Sequence, residues 1–578
     1  MYPDTSAAVV GRSLATAFAL FTFLAPLRAD AKNIYVWPGS PSPLSPYGSW
    51  NTAARSIQPA LDAAVPGDTV WVTNGVYSTG SRSGLPSGST LMTRVCVPSG
   101  VMLRSTSGPS VTVIAGAGPL GPSAVRCVYA GTNASVTGFT LTSGFTGNSG
   151  DAVKSQSGGG AWCEPGAALS NCVLSANRAA VHGGAACGGS LVSCQVVSNA
   201  AASGGAACRS VLIDCSVAMN RSGADGGGLL QSAAYGCDIY GNAVTNWGNG
   251  GGASSSALYR CSVRLNTAMS AGGVWCGSAS NCWVTCNSAT HGNGGGMVLA
   301  DAFESVIASN ACVLSGGGVY EGTLRNCLVF ANEASMNSGG GACDTDTLNC
   351  TIVRNHAGGS GGGVYGGVHE SGIIYSNAAA SGDNYWDSDL RWCCTAPDFG
   401  VQDCFDGDPL FFNAAANDFR LKYGSPCIDR RTAGVLTPWD QVMTARPLDG
   451  DFDGQASYDV GALEYNPLAY DSDADAMPDL WEHLYRLNPV NPADAFMDAD
   501  GDGHEAWQEY VSGSVPTNRD SALRALIDVG SGWPRISWTP DLGTARVYTV
   551  EVKAWLTDAA WGPTNAGSRL FRVGARMP

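Results

Sequence analysis

From residue 170 to residue 380, hydrophobic and polar positions recur in one phrase: a small residue, an aliphatic residue two places on, and an asparagine three further. The asparagines are Asn177, Asn199, Asn220, Asn242, Asn266, Asn287, Asn310, Asn332, Asn355 and Asn377, spaced by 21 to 24 residues. Three residues before each stands an aliphatic side chain, from Leu174 to Ile374. Five before stands a small one, which is cysteine in eight of the ten periods. Positions two apart face the same side of a strand, so both rows belong to one core. A fixed period of this size is the signature of a solenoid.

A second phrase fills the rest of each period. Runs of two or three glycines end at Gly160, Gly184, Gly205, Gly228, Gly252, Gly273, Gly296, Gly318, Gly341 and Gly363. Short apolar pairs follow, such as Val274-Trp275, Val319-Tyr320 and Val364-Tyr365, which suit another strand. A helical repeat is excluded, because each glycine would cost about 1 kcal/mol in a helix interior. The pattern predicts two or three short strands per turn, rungs roughly 4.8 Å apart, and an asparagine ladder whose amides bond above and below.

The flanks extend this picture. Ala53 to Ala64 reads as a short amphipathic helix with Ile57, Leu61 and Ala64 on one face, a cap for the open end of a rod. Strands are predicted at Thr69–Val72 and after Gly75, with about four irregular ones over 91–142. Arg12, the apolar run Leu14 to Leu27 and Ala29-Asp30-Ala31 predict a cleaved secretory leader. No later stretch reaches the length of a membrane span. The expectation is a secreted or surface-held bacterial protein, a monomer without a transmembrane helix.

Composition changes two points. Twenty-one cysteines in an exported chain suggest disulfides, but cysteine is also a small buried residue, and serine and glycine share its ladder position. Thiols packed on thiols are the preferred reading. In the irregular sequence beyond, a bridge from Cys393 or Cys394 to Cys427 is compatible with the spacing. The net charge of −16 is uneven: residues 383–520 hold 27 acidic against 8 basic residues, or −19, leaving about +3 elsewhere. No basic stripe supports nucleic-acid binding, and the acidic segment points to cations.

The opening, Ser56-Ile57-Gln58-Pro59-Ala60-Leu61 through Pro66-Gly67-Asp68-Thr69-Val70 to Asn74-Gly75-Val76-Tyr77, resembles the capped start of pectin-lyase-like proteins. The glycine runs alternating with small-x-aliphatic-x-x-Asn resemble the repeats of polymorphic outer-membrane proteins. Gly407-Asp408-Pro409-Leu410-Phe411, Asp418 to Leu421 and Ser425 to Asp429 resemble the closing segment of secreted bacterial β-helix proteins. The resemblance covers residues 33–465 and implies an all-β, right-handed parallel β-helix. That fold hosts lyases, hydrolases, adhesins and passive stalks, so it leaves activity open. No ten-residue alternating strands after residue 465 indicate an attached membrane barrel.

Beyond the rod, Asp471, Asp473, Asp475, Asp479 and Glu482 occupy positions 1, 3, 5, 9 and 12 of an EF-hand-like loop. Asp498, Asp500, Asp502 and Glu509 repeat positions 1, 3, 5 and 12 after 27 residues, with Gly503 at position 6 and His504 offering its backbone carbonyl. Alternating aspartates converge oxygens on one hard cation, and the last glutamate closes the site with both oxygens. Each loop enters an apolar helical stretch. The pair resembles the calcium repeats of dockerins and thrombospondin type 3 modules, which implies structural calcium. Ala476 stands where glycine is expected. A third run, Asp449-Gly-Asp451-Phe-Asp453-Gly454, lacks an acid at position 12.

The expected organisation is therefore a leader (1–31), an N-terminal cap with the first coils (32–160), regular repeats (161–384), the closing end of the helix (385–466), a calcium segment (467–520) and a small β module (521–578). One constellation remains for chemistry. Asp301, Glu321, Asp344 and Asp346 fall on one stripe when the glycine runs are aligned. Paired carboxylates suit glycoside hydrolysis or calcium held against an acidic sugar, but a solvated turn is the preferred reading. Trp162, Trp275, Tyr320 and Tyr365 suit sugar stacking or groove packing. The favoured function is a non-catalytic, rigid surface or matrix protein that binds glycans or partner proteins. The alternative is a polysaccharide lyase or glycoside hydrolase.

Overall fold

The computed structural model describes residues 31–397, 400, 403–431 and 437–528, plus strands at 535–539, 547–553, 562–563 and 570–576. Side chains are described to residue 523. The expected leader, apart from Ala31, lies outside the described residues.

The chain winds as a parallel β-solenoid. One turn shows the construction. Ala207–Cys208, Val211–Ile213, Ser216–Ala218 and Arg221–Ser222 are four short strands, not the two or three expected. Each pairs in parallel with its counterpart one turn on. The turns stack into sheets of 26, 14 and 9 strands. The 14-stranded sheet carries the aliphatic row and runs from Gly75–Tyr77 to Cys394–Thr395. Fourteen rungs at about 4.8 Å give a rod roughly 60 Å long. Residues 92–142 form six strands in step with the later turns rather than four irregular ones.

Short strands need sharp corners, and the corners explain the repeating phrases. In this turn Gly204, Arg209, Asp214 and Met219 all have φ between 51° and 62°. A left-handed corner costs a non-glycine residue about 1–2 kcal/mol. The amide after each non-glycine corner is held by a side chain from the next turn. Ser210 N–H donates to Ser232 Oγ (3.2 Å), Cys215 N–H to Cys237 Sγ (3.4 Å) and Asn220 N–H to Asn242 Oδ1 (3.0 Å). The cysteine row is thus a hydrogen-bond ladder as well as a packed one. Where Ser305 replaces cysteine, its Oγ accepts the Cys282 N–H at 3.0 Å. Cys427 lies against Cys394, and both are free thiols.

The two ends are closed differently. At the start, helix α1 (Ile57–Ala63) buries Ile57, Ala60 and Leu61 against the first strands. At the far end, the chain folds back over the last rungs. Gly461 N–H donates to Ser371 O and Ala462 N–H to Thr351 Oγ1. Gly461 has φ +106°, and a Cβ there would meet Ile373 Cδ1 at 2.8 Å, so the close approach requires glycine. Behind it, Arg446 and Glu464 form a 3.0 Å ion pair with side chains 0% and 1% exposed. Among the described residues no helix is long and apolar enough to cross a membrane.

Candidate functional site

Beyond the cap, two seven-residue helices, α2 (Asp479–Tyr485) and α3 (Ala506–Ser512), leave the two acidic loops. Met477, Ala495 and Ala506 form a small core, with Trp481, Leu487 and Tyr510 packed on it. This core positions the loops, which repeat bond for bond. Asp471 Oδ2 accepts the Ala476 N–H (2.8 Å), and Asp498 Oδ2 accepts the Gly503 N–H (2.9 Å). Asp473 and Asp500 cap Asp475 N–H and Asp502 N–H; Asp475 and Asp502 cap Met477 N–H and His504 N–H. Asp473, Asp475, Asp500 and Asp502 are each held by one oxygen and present the other, whereas Asp471 and Asp498 accept N–H groups on both oxygens.

The presented oxygens converge. Asp471, Asp473 and Asp475 bring carboxylate oxygens within 4.8 Å of one another, as do Asp498, Asp500 and Asp502. Asp473 Oδ2, Asp475 Oδ2, Asp500 Oδ2, Asp502 Oδ2 and both oxygens of Glu482 and Glu509 are buried without a protein partner. Buried unpaired carboxylates are costly, so this donor set fits a hard divalent cation with a bidentate glutamate. Burial, then the Asp475 and Asp473 charges, pushes Glu482 up to about 9. Burial, with Asp500 and Asp502, pushes Glu509 up to about 7. Asp473 rises to about 6 for the same reasons.

Two expected ligands stand differently, and one acid outside the motif joins the cluster. Asp479 is turned away from the cluster: its oxygens accept from Ser472 N–H (2.7 Å), Ser472 Oγ–H (2.6 Å) and the Tyr465 hydroxyl. It ties α2 to the cap. The His504 ring sits on Asp502, 3.1 Å from Oδ1. Asp494, which the loop spacing does not include, joins Asp475 and Glu482 in a further cluster. It arrives from a separate turn, Asp494–Phe496, so no local motif marks it.

The third run shares this geometry. Asp449 Oδ2 accepts the Gly454 N–H, and Asp451 and Asp453 cap the N–H groups two residues on. In place of a position-12 acid, Asp429 comes from 20 residues upstream to cluster with Asp449 and Asp451.

Protons would compete with any cation held by these oxygens, which fixes a sign. A carboxylate whose folded pKa is raised loses stability as pH rises above its unfolded value. In chelator, the segment is expected to weaken between about pH 4.5 and 9, through Glu482 and Glu509. With millimolar calcium the loss disappears. Thermal melting followed by tryptophan fluorescence at pH 5 and pH 8 reads this, and a chelated melt independent of pH contradicts it.

On the rod, the acidic stripe is in register. Tyr320 pairs with Cys343 and Gly322 with Thr345, so Glu321 stands opposite Asp344. Both occupy left-handed corners. Asp301 and Asp346 are two turns apart; each accepts the backbone N–H of the next turn, from Thr323 (3.1 Å) and Val368 (2.9 Å). Asp389 continues the column beyond Val368. These acids do not form a converging cluster like those of the loops.

The aromatic row is also one column. It runs Trp162, Cys187, Cys208, Leu230, Ser254, Trp275, Val298, Tyr320, Cys343, Tyr365, Trp386. Trp162, Trp275, Tyr320 and Tyr365 are half-buried rather than exposed. Trp386, missed in the sequence because its turn lacks a full glycine run, is 48% exposed. From Trp275 to Tyr365 aromatics fall on every second turn, with Asp301 and Asp346 on the turns between, and Trp386 follows on the turn directly after Tyr365.

No family model matches the chain, and no curated protein does. Among solved structures it is similar to the pectate lyase Pel9A, at 15% identity over 76% of this chain and 97% of that one, with a TM-score of 0.29. It is similar to the A-module of the Azotobacter vinelandii mannuronan C-5 epimerase AlgE6, at 15% identity over 61% and 94%, TM-score 0.28. A rhamnogalacturonan lyase matches at 12% identity over 70% and 97%, TM-score 0.25. Likeness at this level does not extend to activity.

Proposed function

We propose that this protein is an exported, calcium-stabilised β-solenoid that binds a glycan strand lying along its axis. The observation that carries the reading is the alternation of Trp275, Tyr320 and Tyr365 with Asp301 and Asp346. Two turns span roughly 9.6 Å, close to the length of an extended disaccharide. Aromatic rings offer flat apolar faces to sugar C–H groups, and the intervening carboxylates accept hydroxyl hydrogen bonds. The acidic stripe favours a neutral glycan. The calcium segment stiffens the chain beyond the cap.

The test is a binding screen of purified protein against neutral and acidic polysaccharides, with and without calcium. Tyr320→Ala and Tyr365→Ala are each expected to weaken binding by up to about tenfold, in line with about 0.5–1.5 kcal/mol per ring contact. Unchanged binding by both variants overturns the proposal. A second reading, a polysaccharide lyase or glycoside hydrolase, is favoured by the adjacency of Glu321 and Asp344. Reducing ends released by the native protein, and lost in Glu321→Ala or Asp344→Ala, establish it instead.

A further inference from the structure

The two calcium loops sit in repeats that match well beyond the loops themselves. After the helices, Leu487 N–H returns to Glu482 O (2.9 Å) and Ser514 N–H to Glu509 O (3.0 Å). Arg486 and Gly513 end the helices in left-handed conformation. Asp494 N–H then donates to Asn491 O, and Ser521 N–H to Asn518 O. Each repeat closes on a side chain from this last residue. Asp494 Oδ2 accepts the Asn488 N–H at 2.7 Å, and Ser521 Oγ accepts the Val515 N–H at 3.0 Å.

The closing turn therefore needs one acceptor oxygen, and a serine hydroxyl supplies it. Asp494 brings a second oxygen that the turn does not use. Its Oδ1 is buried without a protein partner, the residue is 4% exposed, and its carboxylate lies within 4.8 Å of Asp475 and Glu482. Glu482 is fully buried with both oxygens unpartnered. The second repeat has no counterpart, because Ser521 carries no charge.

We propose that Asp494 is a ligand of the first calcium site, which makes that site a five-carboxylate centre that fills before the four-carboxylate second site. The inference rests on the calcium reading of the loops. Its basis is that ligand charge count tunes affinity in sites of this class. Binding there also fixes Asp494–Phe496, the turn that leads into the second loop at Asp498.

The experiment is calcium titration of the full chain by calorimetry, paired with terbium luminescence sensitised by Trp481 and Trp507 beside the two sites. Native protein is expected to show two classes of site separated by at least about tenfold. Asp494→Ser copies the second repeat's own closing residue. It should weaken the tighter class by about tenfold or more, towards the weaker one. Ser521→Asp should tighten the weaker class. A tighter class unchanged within about twofold in Asp494→Ser overturns the proposal. If that variant does not fold, Ser521→Asp decides alone, and no tightening overturns it. Absence of any calcium heat in the native protein is a different outcome: it removes the calcium reading itself.

Discussion

Asn266→Ala is expected to destabilise the rod by about 2–6 kcal/mol. In the middle of the ladder, Asn266 Oδ1 accepts both the Asn242 N–H (2.9 Å) and Asn242 Nδ2–H (3.0 Å). Its own Nδ2 donates to Ile239 O (2.9 Å) and Asn287 Oδ1 (3.0 Å). Truncation orphans a backbone donor and a backbone acceptor where no water reaches, each costing about 1–3 kcal/mol. Asn266→Asp keeps the acceptor but points oxygen at oxygen towards Ile239 and Asn287, and it buries a charge. It should be worse than alanine at pH 7 and recover part of the loss in acid, when the carboxyl is protonated. Denaturant unfolding, with hydrogen exchange at residues 242 and 266, measures both. An alanine variant within 1 kcal/mol of native refutes the ladder as a stabilising element.

The second large effect is expected at the closing cap. Arg446→Met should cost about 3–5 kcal/mol, the usual penalty for leaving a buried charge alone. Glu464 would retain only the Leu448 and Asp459 N–H groups, at 2.9 and 3.2 Å. Burial already pushes Glu464 up to about 7, against the opposing pull of Arg446, and removing the arginine pushes it further. A raised carboxylate loses stability as pH rises. The deficit should therefore be larger at pH 8 than at pH 5. A deficit independent of pH contradicts this, and removing both charges in Arg446→Met with Glu464→Leu should restore part of the loss.

The rod was legible in the sequence because its rules are local. Asparagine, cysteine and glycine rows recur at positions that one turn fixes for the next. What was not legible came from chain distant in sequence. Asp494 and Asp429 reach their clusters from outside the loop motifs, and no spacing rule joins Asp429 to Asp449. Asp479 stands at a ligand position of the motif, yet Tyr465 and Ser472 claim it for the cap. The strand after the asparagine, present in nine turns, escaped notice because two-residue strands such as Arg221–Ser222 have no period to count. Its existence follows from the left-handed corner at Met219, which a methionine does not advertise.

The asparagine ladder makes each turn from Asn177 to Asn377 offer the same acceptor to one neighbour and the same donors to the other, so these turns are interchangeable parts. A turn can be excised or duplicated without inventing a new interface, whereas a slip of one residue breaks all the rows at once. Parity then becomes a heritable trait of the surface. Removing one turn between Trp275 and Tyr320 would set these two rings on neighbouring rungs and erase the two-turn beat. Removing two elsewhere would preserve it. Length and surface rhythm are thus set by different arithmetic: the rod tolerates any whole number of turns, and the alternating face tolerates only even changes.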